Sequence, residues 1–185
     1  MALNSILEQT GGDGLKILCL DLDGVLNSFS DRQGKEISLV IVPEKVAILR
    51  RIIDETGAII VLSSSWRFWW NEGYTQPDQV GWDINEAMAM YGLEIRDKIP
   101  FRYFRSRADE VREWLAGRTY VKSLVILDDM DFGWRKRGLQ KHWVQTDGYS
   151  GLTEEDADRA IRILNHGPRV KRRLFKFNKR KEDFL

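Results

Sequence analysis

Three segments far apart in the chain carry closely spaced oxygen donors: Asp21-Leu-Asp23, Ser63-Ser-Ser65 and Asp128-Asp129. Each directly follows an apolar run of strand length: KILCL at 16–20, AIIVL at 58–62 and SLVIL at 123–127. Continuous apolar runs suit strands buried on both faces of a parallel sheet. In an open parallel sheet the carboxyl ends of the strands lie along one edge, and ligands bind in the crevice there. The pattern therefore gathers at least four carboxylates, a crowding that is unfavourable unless a cation neutralises it. Donors that are all oxygen suit a hard ion, and Mg²⁺, which keeps several waters, is the expected one.

Helices must space these strands. Pro43 and Glu44 open a helical pattern with Val46, Leu49, Ile52 and Ile53 on its apolar side, and Gly57 stands just past its end. Proline in the first turn and glycine after the last one are the ordinary start and stop signals. The spacing predicts further helices near 84–91 and over 108–116, a short strand around 142–146, and a helix over 153–164. Thr153 followed three residues later by Asp156 resembles a capping arrangement. The stretch 66–105 is less regular and rich in aromatics. The alternation of strand and helix argues for an α/β fold with a mainly parallel sheet.

With 185 residues, 43% hydrophobic and 31% charged, the chain suits one soluble domain with a sizeable core. The boundaries read as a leader over 1–14, a globular domain over 15–167 and a basic tail over 168–185. The formal net charge of +1 selects no class of partner, but eight Lys or Arg residues and no acid fall between Arg169 and Lys181. Cys19 is the only cysteine, which excludes an intramolecular disulfide, and its apolar neighbours point to a buried structural thiol. The first residues lack the basic start and apolar core of a signal peptide. No apolar stretch approaches the roughly 18 residues of a membrane span. A cytoplasmic protein without membrane contact is the expectation.

The segment DLDGVLN (21–27) resembles the first motif of the haloacid dehalogenase (HAD) superfamily. Ser63 after AIIVL is similar to its second motif, Arg107 near a helix start to its third, and ILDDMD with Asp128, Asp129 and Asp131 to its fourth. Four ordered motifs over roughly 16–135 are far more specific than one DxD. A narrower likeness, carried by DGVLN, SSSWR (63–67), RADEVREWL (107–115), ILDD and TDGYSGLT (146–153), is to the HAD domain of Swiss Army Knife RNA repair proteins.

The resemblance implies a Rossmann-like three-layer α/β/α fold, capless or with a minimal cap, and a Mg²⁺-dependent phosphatase. Asp21 is then the nucleophile that forms an aspartyl phosphate, and Asp23 the acid and base. Ser63 binds a phosphoryl oxygen, and Arg107 neutralises charge and keeps Asp21 ionised. Asp129 and Asp128 hold the metal with the Asp21 carboxylate and the backbone carbonyl of Asp23. Ser64, Arg67 and Asn27 are the further substrate contacts expected. Alternatives stand beside these roles: Ser64 in place of Ser63, Arg105 in place of Arg107, an ion-pair role for Arg67, and a supporting role for Asp131. His142 and His166 have no catalytic pattern and read as structural.

Only 40 positions separate Asp23 from Ser63, too few for a large cap beside the helix they contain. An open site of this kind admits a phosphate at the end of a polymer. Trp66, Phe68, Trp69, Trp70 and Tyr74 follow the second motif, where they either stack on bases or fill the core. The basic tail, interleaved with Leu174, Phe175 and Phe177, either grips phosphates or is a solvated or docking extension. The expected partner is a phosphorylated nucleic-acid end or a nucleotide. The competing readings are a small-ester phosphatase and a non-catalytic nucleic-acid-binding module.

Overall fold

Alternating side chains along a strand point to opposite faces, so a strand that is apolar at every position must be covered on both sides. Residues 17 to 20 meet this condition. Leu18 and Leu20 pack into one apolar cluster, whereas Ile17 and Cys19 pack into a second on the other face. They lie in strand β1 (Leu15–Leu20) of the computed structural model, which describes residues 14–32, 41–70 and 79–170, without the side chains of 79–82.

The remaining strands are β2 (Ile59–Leu62), β3 (Ile95–Lys98), β4 (Val121–Asp128) and β5 (Trp143–Gln145). They form one sheet in the order β3-β2-β1-β4-β5, with every neighbouring pair parallel. The helices are α1 (Pro43–Thr56), α2 (Gln79–Ala89), α3 (Arg107–Leu115) and α4 (Glu154–His166). One face of the sheet packs on Leu49 and Ile52 of α1, Ile84 and Met88 of α2, and Ala157, Ala160 and Leu164 of α4. The opposite face packs on Val111, Trp114 and Leu115 of α3 with Trp134 and Leu139 from the β4–β5 connection. The result is the expected three-layer, Rossmann-like α/β/α architecture.

Helix ends follow the local chemistry. Pro43 opens α1, and Gly57 closes it in the left-handed conformation at φ 65°, its N–H bonded to the Ile53 carbonyl. Thr153 and Asp156 form a reciprocal capping box on α4. Two expectations are corrected: β3 lies within the stretch read as irregular, and α2 begins at Gln79, ahead of the expected 84. Strand β3 reads IRDK, with only Ile95 buried, because it is an edge strand and needs cover on fewer sides. The leader up to residue 13, Tyr74, and the tail from 171 onwards lie outside the described residues. No helix among the described residues is long and apolar enough to cross a membrane.

Candidate active site

The backbone ladders continue just past the strand ends and set the polar residues beside one another. Asp21 donates its N–H to the Leu127 carbonyl (3.0 Å), and Ser63 donates its own to the Leu20 carbonyl (2.8 Å). The two residues thus follow adjacent strands, with Asp128 at the end of β4 on the other side of β1. This is where the strand order reverses, the position at which open α/β sheets bind ligands.

A tight turn then doubles the chain back. Gly24 has φ 69°, a left-handed conformation that side chains resist. A Cβ there would also come within 2.4 Å of the Asp129 carboxylate. The turn is tied by Gly24 N–H to the Asn27 carbonyl (2.7 Å), and by the Thr146 hydroxyl donating to the Gly24 carbonyl (2.7 Å). Asp23 emerges half-buried from it, and its carboxylate accepts a hydrogen bond of 2.7 Å from Trp66 Nε1.

Arg107 stands in the first turn of α3, where the Ser106 hydroxyl caps the helix by accepting from Asp109 N–H (3.2 Å). Its Nη1 reaches both Asp21 Oδ2 (2.5 Å) and Asp128 Oδ2 (2.8 Å). Its guanidinium carbon lies 4.1 Å from the centroid of the Phe132 ring. Burial alone would make this guanidinium easier to deprotonate, but the two carboxylates reverse that and hold it above its ordinary pKa. Arg105, the alternative cation, faces Glu113 at 3.9 Å.

Asp21, Asp128 and Asp129 each offer a carboxylate oxygen, and these oxygens all lie within 4.8 Å of one another. Burial first, and then the charge of Asp21, pushes both Asp128 and Asp129 above the usual carboxylate range. That is the electrostatic tension a bound cation relieves, and an all-oxygen donor set fits a hard divalent ion. Asp129 is pressed between two glycines: a Cβ on Gly148 would lie 2.6 Å from its Oδ2. Asp131 stays outside the group, accepting from Gly133 N–H (3.0 Å) and facing Arg135 at 3.4 Å.

The serines separate by their partners. Ser64 accepts a hydrogen bond from Trp66 N–H (3.3 Å) and caps the short 3₁₀ turn Ser65–Phe68. The Ser63 hydroxyl is fully buried and has no hydrogen-bond partner among the described residues. An orphaned buried hydroxyl is costly to leave so, and it fits an incoming oxygen acceptor.

The other residues expected at the substrate are buried. Asn27 is 1% exposed. Arg67 is buried, donating from Nη1 to the Ser63 and Ser64 carbonyls (2.8 Å each) and from Nη2 to Glu110 (2.8 Å). Desolvation lowers the Arg67 pKa despite Glu110 beside it. Arg67 thus braces the Ser63–Ser64 turn against α3. Of the aromatics, Trp70 is buried, Trp66 half-buried, and Phe68 and Trp69 exposed. His142 is buried with Nδ1 against the Leu124 carbonyl (3.1 Å), a structural setting.

Two elements escaped the sequence reading: Glu110, which anchors Arg67, and Thr146, which fixes the Gly24 turn. Glu110 had a discernible sign, since an acid in the RADEVREWL helix falls at a position spaced with the apolar Val111 and Trp114 face. Thr146 had none.

A Rossmann-like parallel sheet that ends in Asp-x-Asp-Gly, Ser, Arg and an acidic pair at its switch point defines a domain of the HAD superfamily. A family model described as the HAD domain in Swiss Army Knife RNA repair proteins matches residues 17–157, and the chain belongs to this family. No curated protein and no solved structure matches the chain.

Proposed function

We propose that this chain is a Mg²⁺-dependent phosphatase that removes terminal phosphates from nucleic acid through an aspartyl-phosphate intermediate on Asp21. The observation that carries the reading is the contact of Arg107 with both Asp21 and Asp128, beside the orphaned Ser63 hydroxyl. A cation-paired carboxylate next to an unsatisfied donor is arranged for a phosphoryl group.

In this reading an Asp21 carboxylate oxygen bonds to phosphorus as the bond to the leaving oxygen breaks. Asp23 gives its proton to that leaving oxygen. A water then attacks the aspartyl phosphate, losing its proton to Asp23, and phosphate and the free Asp21 carboxylate are regenerated. The Ser63 hydroxyl donates to a phosphoryl oxygen, and Arg107 offsets the charge on the equatorial oxygens. Trp66 holds the Asp23 carboxylate in one orientation. Asp21, Asp128 and Asp129, with the Asp23 carbonyl, would hold Mg²⁺, which supplies charge neutralisation at the phosphoryl oxygens when bound.

The nucleic-acid substrate rests on the family's RNA repair association and on the absence of a cap layer among the described residues over this edge. The test is phosphate release from matched 5′- and 3′-phosphorylated oligonucleotides and mononucleotides, with Mg²⁺ or chelator, by wild type and Asp21→Asn. Metal-dependent release from one oligonucleotide end, lost in Asp21→Asn, is expected. Faster turnover of mononucleotides would move the function to small esters. No turnover by a folded, Mg²⁺-binding protein would leave a non-catalytic binding module.

A further inference from the structure

Aromatic side chains do not ordinarily stand in water on a soluble domain, and a contiguous exposed group of them marks a binding surface. Two loops on the carboxyl edge carry such a group. Phe68 and Trp69, after β2, are 50% and 46% exposed; Phe101, Tyr103 and Phe104, after β3, are 39%, 80% and 106% exposed. Their rings form an unbroken series. Trp66 lies 5.6 Å from Trp69 between centroids, Trp69 lies 6.2 Å from Phe68, and Phe68 lies 4.6 Å from Phe101. Phe101 is 5.0 Å from Tyr103, which is 6.4 Å from Phe104. The series starts at the reaction centre, because Trp66 is hydrogen-bonded to Asp23.

Phe104 adds an independent sign. Its φ is 61°, the one left-handed residue other than glycine among the described residues, and its side chain is fully in solvent. A bulky residue in this conformation destabilises the fold, and full exposure offers no burial in return. Folding therefore does not account for the ring being there.

The charge around the series distinguishes possible occupants. Residues 101–107 read FRYFRSR, alternating rings with Arg102, Arg105 and Arg107, with no acid. Arg102 and Arg105 both face Glu113, at 2.7 and 3.9 Å. The Arg67 guanidinium carbon lies 5.7 Å from the centroids of both Phe68 and Phe101. Rings interleaved with cations, leading away from a phosphoryl site, match the chemistry of a single strand: π-faces for bases and charge for the backbone.

We infer that this aromatic ledge is the track for the unpaired nucleotides next to the terminal phosphate, about two or three of them. The inference rests on the phosphatase reading of the site and adds strand selectivity. Bases already stacked in a duplex have no free face for the ledge, so the protein acts on single-stranded ends or overhangs, without sequence preference.

The test is binding of end-phosphorylated oligonucleotides to the full chain carrying Asp21→Asn, by fluorescence anisotropy, with single strands and blunt duplexes compared. Single strands are expected to bind more tightly. Tyr103→Ala and Phe104→Ala should each weaken single-strand binding at least about fivefold, at the low end of one lost base stack. Tyr103→Phe, which keeps the ring, should retain the affinity, and the salt dependence should keep its slope because no phosphate contact is removed. Equal affinity for single strands and duplexes, or unchanged affinity in both alanine variants, overturns the ledge and leaves a protein-docking face. Phosphate release by the parent chain from the same oligonucleotides separates the two claims. Release with unaltered variant affinity defeats the ledge alone; ledge-dependent binding without release defeats the phosphatase alone.

Discussion

Removing a single N–H tests whether Asp23 serves as the acid. Trp66→Phe keeps an aromatic ring but deletes the Nε1 donor that lies 2.7 Å from the Asp23 carboxylate. Hydrogen bonds to charged groups contribute about 1.5–3 kcal/mol net. Both side chains are half-buried, which favours the low end. A loss of about 1.5 kcal/mol in the transition state corresponds to roughly a tenfold fall in kcat. The loss should depend on the leaving group. An alkoxide, such as a ribose oxygen, leaves poorly without a proton, whereas an activated aryl oxide such as nitrophenolate needs none. The assay is steady-state kinetics of Trp66→Phe on an alkyl phosphate and on an aryl phosphate of low leaving-group pKa. The alkyl ester should lose about tenfold in kcat, and the aryl ester should change little. An equal loss on both esters, or none on either, would falsify the assignment of Trp66 as the group that orients an acid.

Three further outcomes follow from other parts of the molecule. Glu110→Ala leaves Arg67 buried without its carboxylate, a change that typically costs about 3–5 kcal/mol. The melting temperature should fall by roughly 6 °C or more, and the double variant Arg67→Met/Glu110→Leu should recover part of that loss. Gly148→Ala places a Cβ 2.6 Å from Asp129 Oδ2, a flexible side-chain end that yields without disturbing the core. The fold should melt almost as before, while calorimetric Mg²⁺ affinity falls. Asp31 would be raised by burial, but hydrogen bonds from Lys45 and Ser28 bring its pKa below 3.8. Its stabilising contribution is therefore present above 3.8 and lost as pH falls through the lower folded value. Asp31→Asn should melt lower at neutral pH and show a flatter acid limb in melts recorded against pH.

The strands that lead into the site were legible because β1, β2 and β4 are central, and the part of a strand covered on both faces must be apolar. Strand β3 was hidden because an edge strand of sequence IRDK can leave three of its four residues half-buried. Among the site residues, Asp21, Ser63, Arg107, Asp128 and Asp129 could be placed from motif order, since each is fixed by its own strand or helix end. Arg67 stayed open between a phosphate contact and an ion pair, because its partner Glu110 lies 43 residues further on and meets it only in the folded chain. The aromatic ledge was half visible for the same reason. Its first loop follows the serine motif, but Phe101 joins Phe68 only because β3 runs parallel to β2.

The central place of β1 has a consequence for how the chain is made. On the ribosome β1 emerges first, yet one of its partners is β4, whose last residue is 128. Until that segment clears the exit tunnel, β1 has β2 on one side and an open edge on the other. Asp21 meanwhile waits without Asp128 and Asp129. Translation that stalls before residue 128 therefore yields a chain that lacks both acids and presents an unpaired strand edge, a natural target for chaperones. The three acids come together only when β4 joins β1, a pairing of segments far apart in sequence.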